Sequence, residues 1–214
     1  MDLTELAKNI SVIIGALALI SGIMAWKREY IGKRKIELAE DTLMLFYQAR
    51  DAIREIRNPF GRIGEGSSRQ KGDNETDSET ELLNRAYVVY ERYQKKEKIF
   101  NKLQSTRYRF MARFGKKNEA PFIELNNILN DIFLSAQMLG THYWQRQGRV
   151  KMEGEEFKKH LDEMHEHEAT FWFQGEKRDK KGPRVEKVIE QIEDITKSTL
   201  VEKDVWFKEL LKKG

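Results

Sequence analysis

Residues 10–26, ISVIIGALALISGIMAW, contain no charged side chain, in a chain of 214 residues that is 35% charged and 39% hydrophobic. At about 1.5 Å per residue the run makes a helix of about 25 Å, near the lower limit for crossing a hydrocarbon core of about 30 Å. Its small residues are ordered. Ser11, Gly15, Ala18, Gly22 and Ala25 recur at spacings of 4, 3, 4 and 3, which lays them along one helix face. In lipid, apolar side chains gain nothing by leaving the acyl tails for each other, so close backbone approach along such a stripe is what lets helices associate. The run therefore reads as one membrane-spanning helix that also self-associates.

Three other readings compete with this one. A cleaved signal peptide needs a basic start and a small-x-small cleavage site. Here Asp2 and Glu5 stand against Lys8, and Trp26-Lys27-Arg28 follows the run. A buried helix of a soluble domain and an in-plane anchor stay open, because the run is short for a span. Flanking charge sets the expected orientation. Lys27, Arg28, Lys33, Arg34 and Lys35 follow the span, while Lys8 precedes it. Such cations stay on the cytoplasmic side, so residues 1–9 are expected outside and the bulk of the chain in the cytoplasm, at a bacterial inner membrane. Trp26 and Tyr30 fit the interface, and the absence of cysteine suits a reducing compartment.

Beyond the span the pattern is all-α, with no sustained period-2 alternation and only Pro59, Pro121 and Pro183 as breaks. Ile36, Ala39, Leu43, Phe46, Arg50 and Ile53 form a heptad-like stripe, so residues 27–57 read as a stalk helix continuing from the span and ending before Pro59. Residues 58–77 form a polar, glycine-rich loop. Residues 78–214 complete a cytoplasmic bundle of four to five helices in all. Its second helix is expected to start at a Ser78/Glu81 capping box and to bury Leu82, Ala86, Val89, Tyr93, Phe100, Leu103, Phe110 and Phe114. A third follows Pro121. A fourth spans 153–173, with Phe157, Leu161, Met164 and Phe171 inward, and a fifth opens at Pro183. The tail from Glu202 carries Trp206, Phe207, Leu210 and Leu211 and reads as padding or a subunit contact.

Four constellations are candidates for chemistry. Residues 95–117 hold nine Lys or Arg and one Glu, with Lys98, Lys102, Arg109, Arg113 and Lys116 near one face. That face suits a nucleic-acid backbone or anionic lipid. It also suits pairing with the acidic fourth helix, which has seven Asp or Glu between Glu153 and Glu168. Arg50 stands at an apolar position of the stalk stripe, and Arg54 and Arg57 continue its face. Snorkelling, a buried ion pair or the lining of a channel in an oligomer all fit. His160, Glu163 and His167, spaced 3 and 4 apart with Glu156 a turn earlier, make a candidate metal face; the plainer reading is a solvated helix face. Gly61, Gly64 and Gly66, followed by Ser67, Ser68 and Arg69, invite an anion-binding loop. A phosphate loop, however, needs Lys-Ser/Thr after the last glycine and a strand before the first. No nucleophile elbow, HExxH pattern or Arg-x4–6-His ribonuclease motif is present.

The phrases Phe46-Tyr47-Gln48-Ala49-Arg50-Asp51, Asn58-Pro59-Phe60, Gly64-Glu65-Gly66, Arg107-Tyr108-Arg109-Phe110 and Phe171-Trp172 resemble a group of uncharacterised bacterial proteins with one N-terminal span and a helical cytoplasmic domain. That resemblance implies an architecture and no activity. The layout is also similar to membrane accessory proteins of bacterial antiviral systems, which implies a role in defence or stress. The expected function is thus a non-enzymatic one: a membrane-anchored homo-oligomer that scaffolds partners or perturbs the membrane, with no cofactor and no small-molecule substrate. The alternative is a membrane-tethered nucleic-acid binder or nuclease using the basic helix.

Overall fold

The computed structural model describes residues 3–175 and 177–212, with side chains described for 9–175 and 177–201. Every regular element among them is helical: α1 Leu3–Ile56, α2 Asp77–Phe114, a 3-10 turn Lys116–Glu119 and α3 Ala120–Met138 come first. A π-helical turn Leu139–Tyr143, a short α4 Trp144–Arg146, α5 Gly154–Phe171 and α6 Lys181–Lys212 complete the chain. It divides into two compact units, Met1–Asp41 with Ser198–Gly214, and Thr42–Lys197.

In the first unit, residues 9–31 of α1 are all exposed, including Ile13, Leu17, Ile20 and Ile23. Among the described residues one helix, α1, is long and apolar enough to cross a membrane, and none of its apolar window is buried. A helix packed inside a soluble core hides such residues. Further along this unit Leu38, Ala39 and Thr199 are buried. The side chains of Trp206, Phe207, Leu210 and Leu211 lie outside the described residues.

The second unit holds its own core. The inward stripe of α1 here is Thr42, Leu45, Phe46, Ala49, Ala52, Ile53 and Ile56, all buried. It lies about one residue round from the stripe expected from sequence, and Arg50 falls at its edge. Phe46 meets Phe122 of α3 edge-on at 4.9 Å, and Phe122 lies 5.5 Å from Phe110 of α2. α3 packs against both α2 and α5. α2 begins two residues before the expected position. Thr76 caps it and exchanges bonds with Glu79 in a full capping box, so the Thr76/Glu79 pair takes the place expected of Ser78/Glu81.

Two glycines are demanded by close approach. A Cβ on Gly140, in the π-helical turn, would stand 2.6 Å from the Ala86 Cβ, so the turn and α2 touch almost backbone to backbone. Gly66, at φ +88, lies so close to α2 that a Cβ would stand 2.1 Å from the Asn84 carbonyl oxygen.

α5 buries Met164 and Phe171 as expected, but its inward face differs at its first turns. Phe157 is 41% exposed, and the buried positions are His160, Met164 and Phe171. A histidine takes the place of an expected phenylalanine.

Candidate functional site

Three constellations of the Thr42–Lys197 unit bear on function. The first is the end of α1. Arg50 is a half-exposed edge residue: its guanidinium lies 5.3 Å from the Tyr47 ring centroid and its Nε 3.1 Å from Asp51. Arg54 is exposed and pairs with Glu186 of α6 at 2.8 Å. The buried arginine is Arg57. It pairs with Asp179 at 2.8 Å and donates to the carbonyls of Thr170 and Ala169 at 2.9 Å each. Its own carbonyl accepts from the Phe173 amide at 2.8 Å. Asp179 in turn accepts from the backbone amides of Lys181 and Gly182, both at 3.1 Å, as a cap on the start of α6. Burial raises the Asp179 carboxyl, but the hydrogen bonds from Arg57 and Gly182 outweigh it and hold the group below its ordinary value. One guanidinium thus ties together the ends of α1 and α5 and the start of α6. Asp179 was missed in sequence; an aspartate shortly before Gly182-Pro183 is a legible helix-start signal, but its partner lies far away in the chain.

The second constellation surrounds Tyr143. His160 is 4% exposed, His167 half-buried, and their rings stand 5.6 and 5.0 Å from the Tyr143 centroid. The Tyr143 hydroxyl donates to Glu163 at 3.2 Å. His160 Nε2 meets Gln147 at 3.1 Å, and His167 Nδ1 meets Ser135 at 3.2 Å. The His160 Nδ1 is buried without a hydrogen-bond partner among the described residues. Burial pushes both imidazoles below their ordinary value, and the Arg146 and His142 charges push His160 further. The rings engage separate partners, so His160, Glu163 and His167 do not converge on one point. No group among the described residues has three ligands placed to hold a metal ion. Of this face His160 is buried and His167 half-buried, while Glu156 and Glu163 stay exposed, so it is solvated only in part.

The glycine-rich loop is likewise filled by the protein's own groups. The Gly66 amide and Ser68 hydroxyl donate to Glu91 at 2.8 and 3.0 Å. Arg69 is closed on Glu75 and reaches Asn84 at 3.1 Å. Arg92 pairs with Glu65 at 2.7 Å and donates to the Ile56, Asn58 and Phe60 carbonyls. Of the donors that invited an anion, Gly66, Ser68 and Arg69 already hold carboxylates, and the Ser67 hydroxyl donates to the Gly64 carbonyl.

The third constellation is the basic face of α2. Lys98, Lys102, Arg109 and Arg113, with Lys116 in the following turn, are all exposed. None has an acidic partner among the described residues. Four other cations of α2 are compensated: Arg92 by Glu65, Lys95 by Glu91, Lys96 by Glu55 and Arg107 by Glu119. Within the chain, the pairing with the acidic helix is not made among the described residues. α5 spends its carboxylates on Arg146, Lys159 and Lys180, through Glu156, Glu163 and Glu166. The exposed Tyr108 flanks the face, with the Arg107 guanidinium 5.7 Å from its ring.

The small-residue positions Ser11, Gly15, Ala18, Gly22 and Ala25 lie on the exposed part of α1, and a Cβ at Gly15 or Gly22 would meet nothing within 4 Å. No family model, curated protein or solved structure shows significant similarity to this chain.

Proposed function

We propose that this is a single-pass membrane protein, anchored through residues 10–26, that holds the helical Thr42–Lys197 unit in the cytoplasm as a non-enzymatic scaffold. The observation that carries the reading is the uninterrupted exposure of the apolar helical run 10–26, whose contact with water would cost far more, relative to lipid, than a domain's whole stability margin. Lys27, Arg28, Lys33, Arg34 and Lys35 support a cytoplasmic unit. The stripe Ser11, Gly15, Ala18, Gly22 and Ala25 supports pairing between copies in lipid.

The chain has no cysteine, so single cysteines report topology cleanly. In intact cells an impermeant maleimide should label Thr4→Cys, and should label Asp73→Cys only after permeabilisation. Labelling in the opposite order would overturn the orientation. Release of the full chain by alkaline carbonate would overturn the anchor itself. Light scattering in detergent should give a defined oligomer that Gly15→Leu with Gly22→Leu disperses; a monomer unaltered by them removes self-association.

A further inference from the structure

We infer that the uncompensated face of α2 is a binding site for single-stranded nucleic acid, recognised through its phosphate backbone. At 3.6 residues per turn, Lys98, Lys102, Arg109 and Arg113 fall within an arc of about 60° and along about 22 Å of helix, with Lys116 in the turn that follows. They form a narrow row. The phosphates of an extended strand present charge along such a row, whose rise is about 6 Å within each i, i+4 pair and about 10.5 Å from Lys102 to Arg109.

On α2 itself Arg92, Lys95, Lys96 and Arg107 have carboxylate partners, whereas Lys98, Lys102, Arg109 and Arg113 have none among the described residues. Four cations left on one line repel each other unless a polyanion releases that repulsion, together with its own counterions. A small anion is the wrong shape, since the row lies on the convex, exposed side of a helix and offers no enclosure. An anionic bilayer fits less well. Helices that lie on membranes pair their cations with apolar side chains that enter the lipid, and between these cations the row carries Ser105 and Ala112. Tyr108, 69% exposed on the flank, offers a ring on which an unpaired base can stack.

The test is fluorescence anisotropy of a labelled 20-nucleotide RNA and of the matching DNA duplex, on the full chain in nanodiscs of zwitterionic lipid. The single strand should bind at low salt, with log K falling against log salt at a slope of about −3, as about four or five phosphate contacts require. Lys98→Ser, Lys102→Ser, Arg109→Ser and Arg113→Ser together should weaken binding at least tenfold. Lys158→Ser, Lys177→Ser, Lys187→Ser and Lys197→Ser, an equal loss of charge at other exposed sites, should change it less than twofold. Exchanging Lys and Arg at the four row positions should preserve binding, and Tyr108→Ser should weaken the single strand more than the duplex. Equal effects of the two serine sets would reduce the interaction to net charge and overturn the site. So would the absence of RNA binding at low salt, or binding confined to discs of anionic lipid.

Discussion

Arg57 and Asp179 form an ion pair 2.8 Å long with both side chains more than nine-tenths buried. The pair is supported by the Ala169 and Thr170 carbonyls on one side and the Lys181 and Gly182 amides on the other, so both charges reach the interior with their hydrogen bonds satisfied. Removing one member leaves the other charged and uncompensated, which costs about 3–5 kcal/mol. Arg57→Met should lower the thermal midpoint of the detergent-solubilised protein by several degrees. Asp179→Asn, which keeps a cap on α6, should cost less. Arg57→Met with Asp179→Leu should be more stable than Arg57→Met alone, a coupling that a double-mutant cycle reads directly.

Acid should detach the glycine-rich loop before it unfolds the helices. The hydrogen bond from Arg92 holds Glu65 down to about 2, and that from Arg69 holds Glu75 down to about 2, from an ordinary value of 4.5. Carboxyls depressed in this way contribute stability that is complete above pH 4.5 and is lost as pH falls through the folded value near 2. Amide exchange across residues 61–76 should therefore accelerate between pH 4.5 and 2, with helix content retained. Glu65→Gln with Glu75→Gln should give the fast exchange already at pH 7; unchanged protection would mean that the two pairs do not hold the loop.

Gly140 sets how closely the π-helical turn approaches α2. Adding one methyl there requires displacement of Ala86, and overpacking of this kind costs about 1–3 kcal/mol. Gly140→Ala should be destabilising by that amount in urea melts. Ala86→Gly on its own should cost about 1 kcal/mol through helix propensity. Combined, the two should be less destabilising than their sum, because the second removes the atom that the first strikes.

Local order was legible in the sequence wherever one residue type has one physical role. Pro59 and Pro121 mark breaks, and Ala86, Val89, Phe100, Leu103 and Phe110 fall on the inner face of α2 as their spacing predicts. What escaped were residues whose role depends on a distant partner. A buried ion pair was one reading of Arg50, Arg54 and Arg57, but which of them is buried was not legible, because the partner of Arg57, Asp179, lies in a charged loop that reads as solvent-facing. His160 took the inner place assigned to Phe157 because an imidazole counts as polar until Tyr143 and Gln147 arrive to cover it. The complementary charges of α2 and α5 suggested a pair, whereas each helix found nearer partners. At the basic face the residues were legible from their spacing, and the structure added that they have no acidic partner among the described residues.

Burial of His160 and His167 predicts a stability change on the acid side of neutrality. Desolvation lowers both imidazoles; Arg146 and His142 act in the same sense on His160, while Glu163 opposes the shift at both rings, aided by Glu156 at His160 and Glu166 at His167. A base depressed in the folded state binds its proton more readily when unfolded. Its contribution is complete above the unfolded value near pH 6.5 and declines as pH falls from there toward the folded value. The thermal midpoint should thus hold level from pH 8 to 7 and drop below about 6.5. His160→Leu also removes the buried, unpartnered Nδ1, and should shrink that drop more than it lowers the midpoint at pH 8. His167→Gln, which keeps a partner for Ser135, should shrink it further in combination. Proton NMR of the two rings in the folded protein should show both titrating below pH 6.5; a His160 that titrates at or above 6.5 would mean that its ring is hydrated and that this packing is wrong.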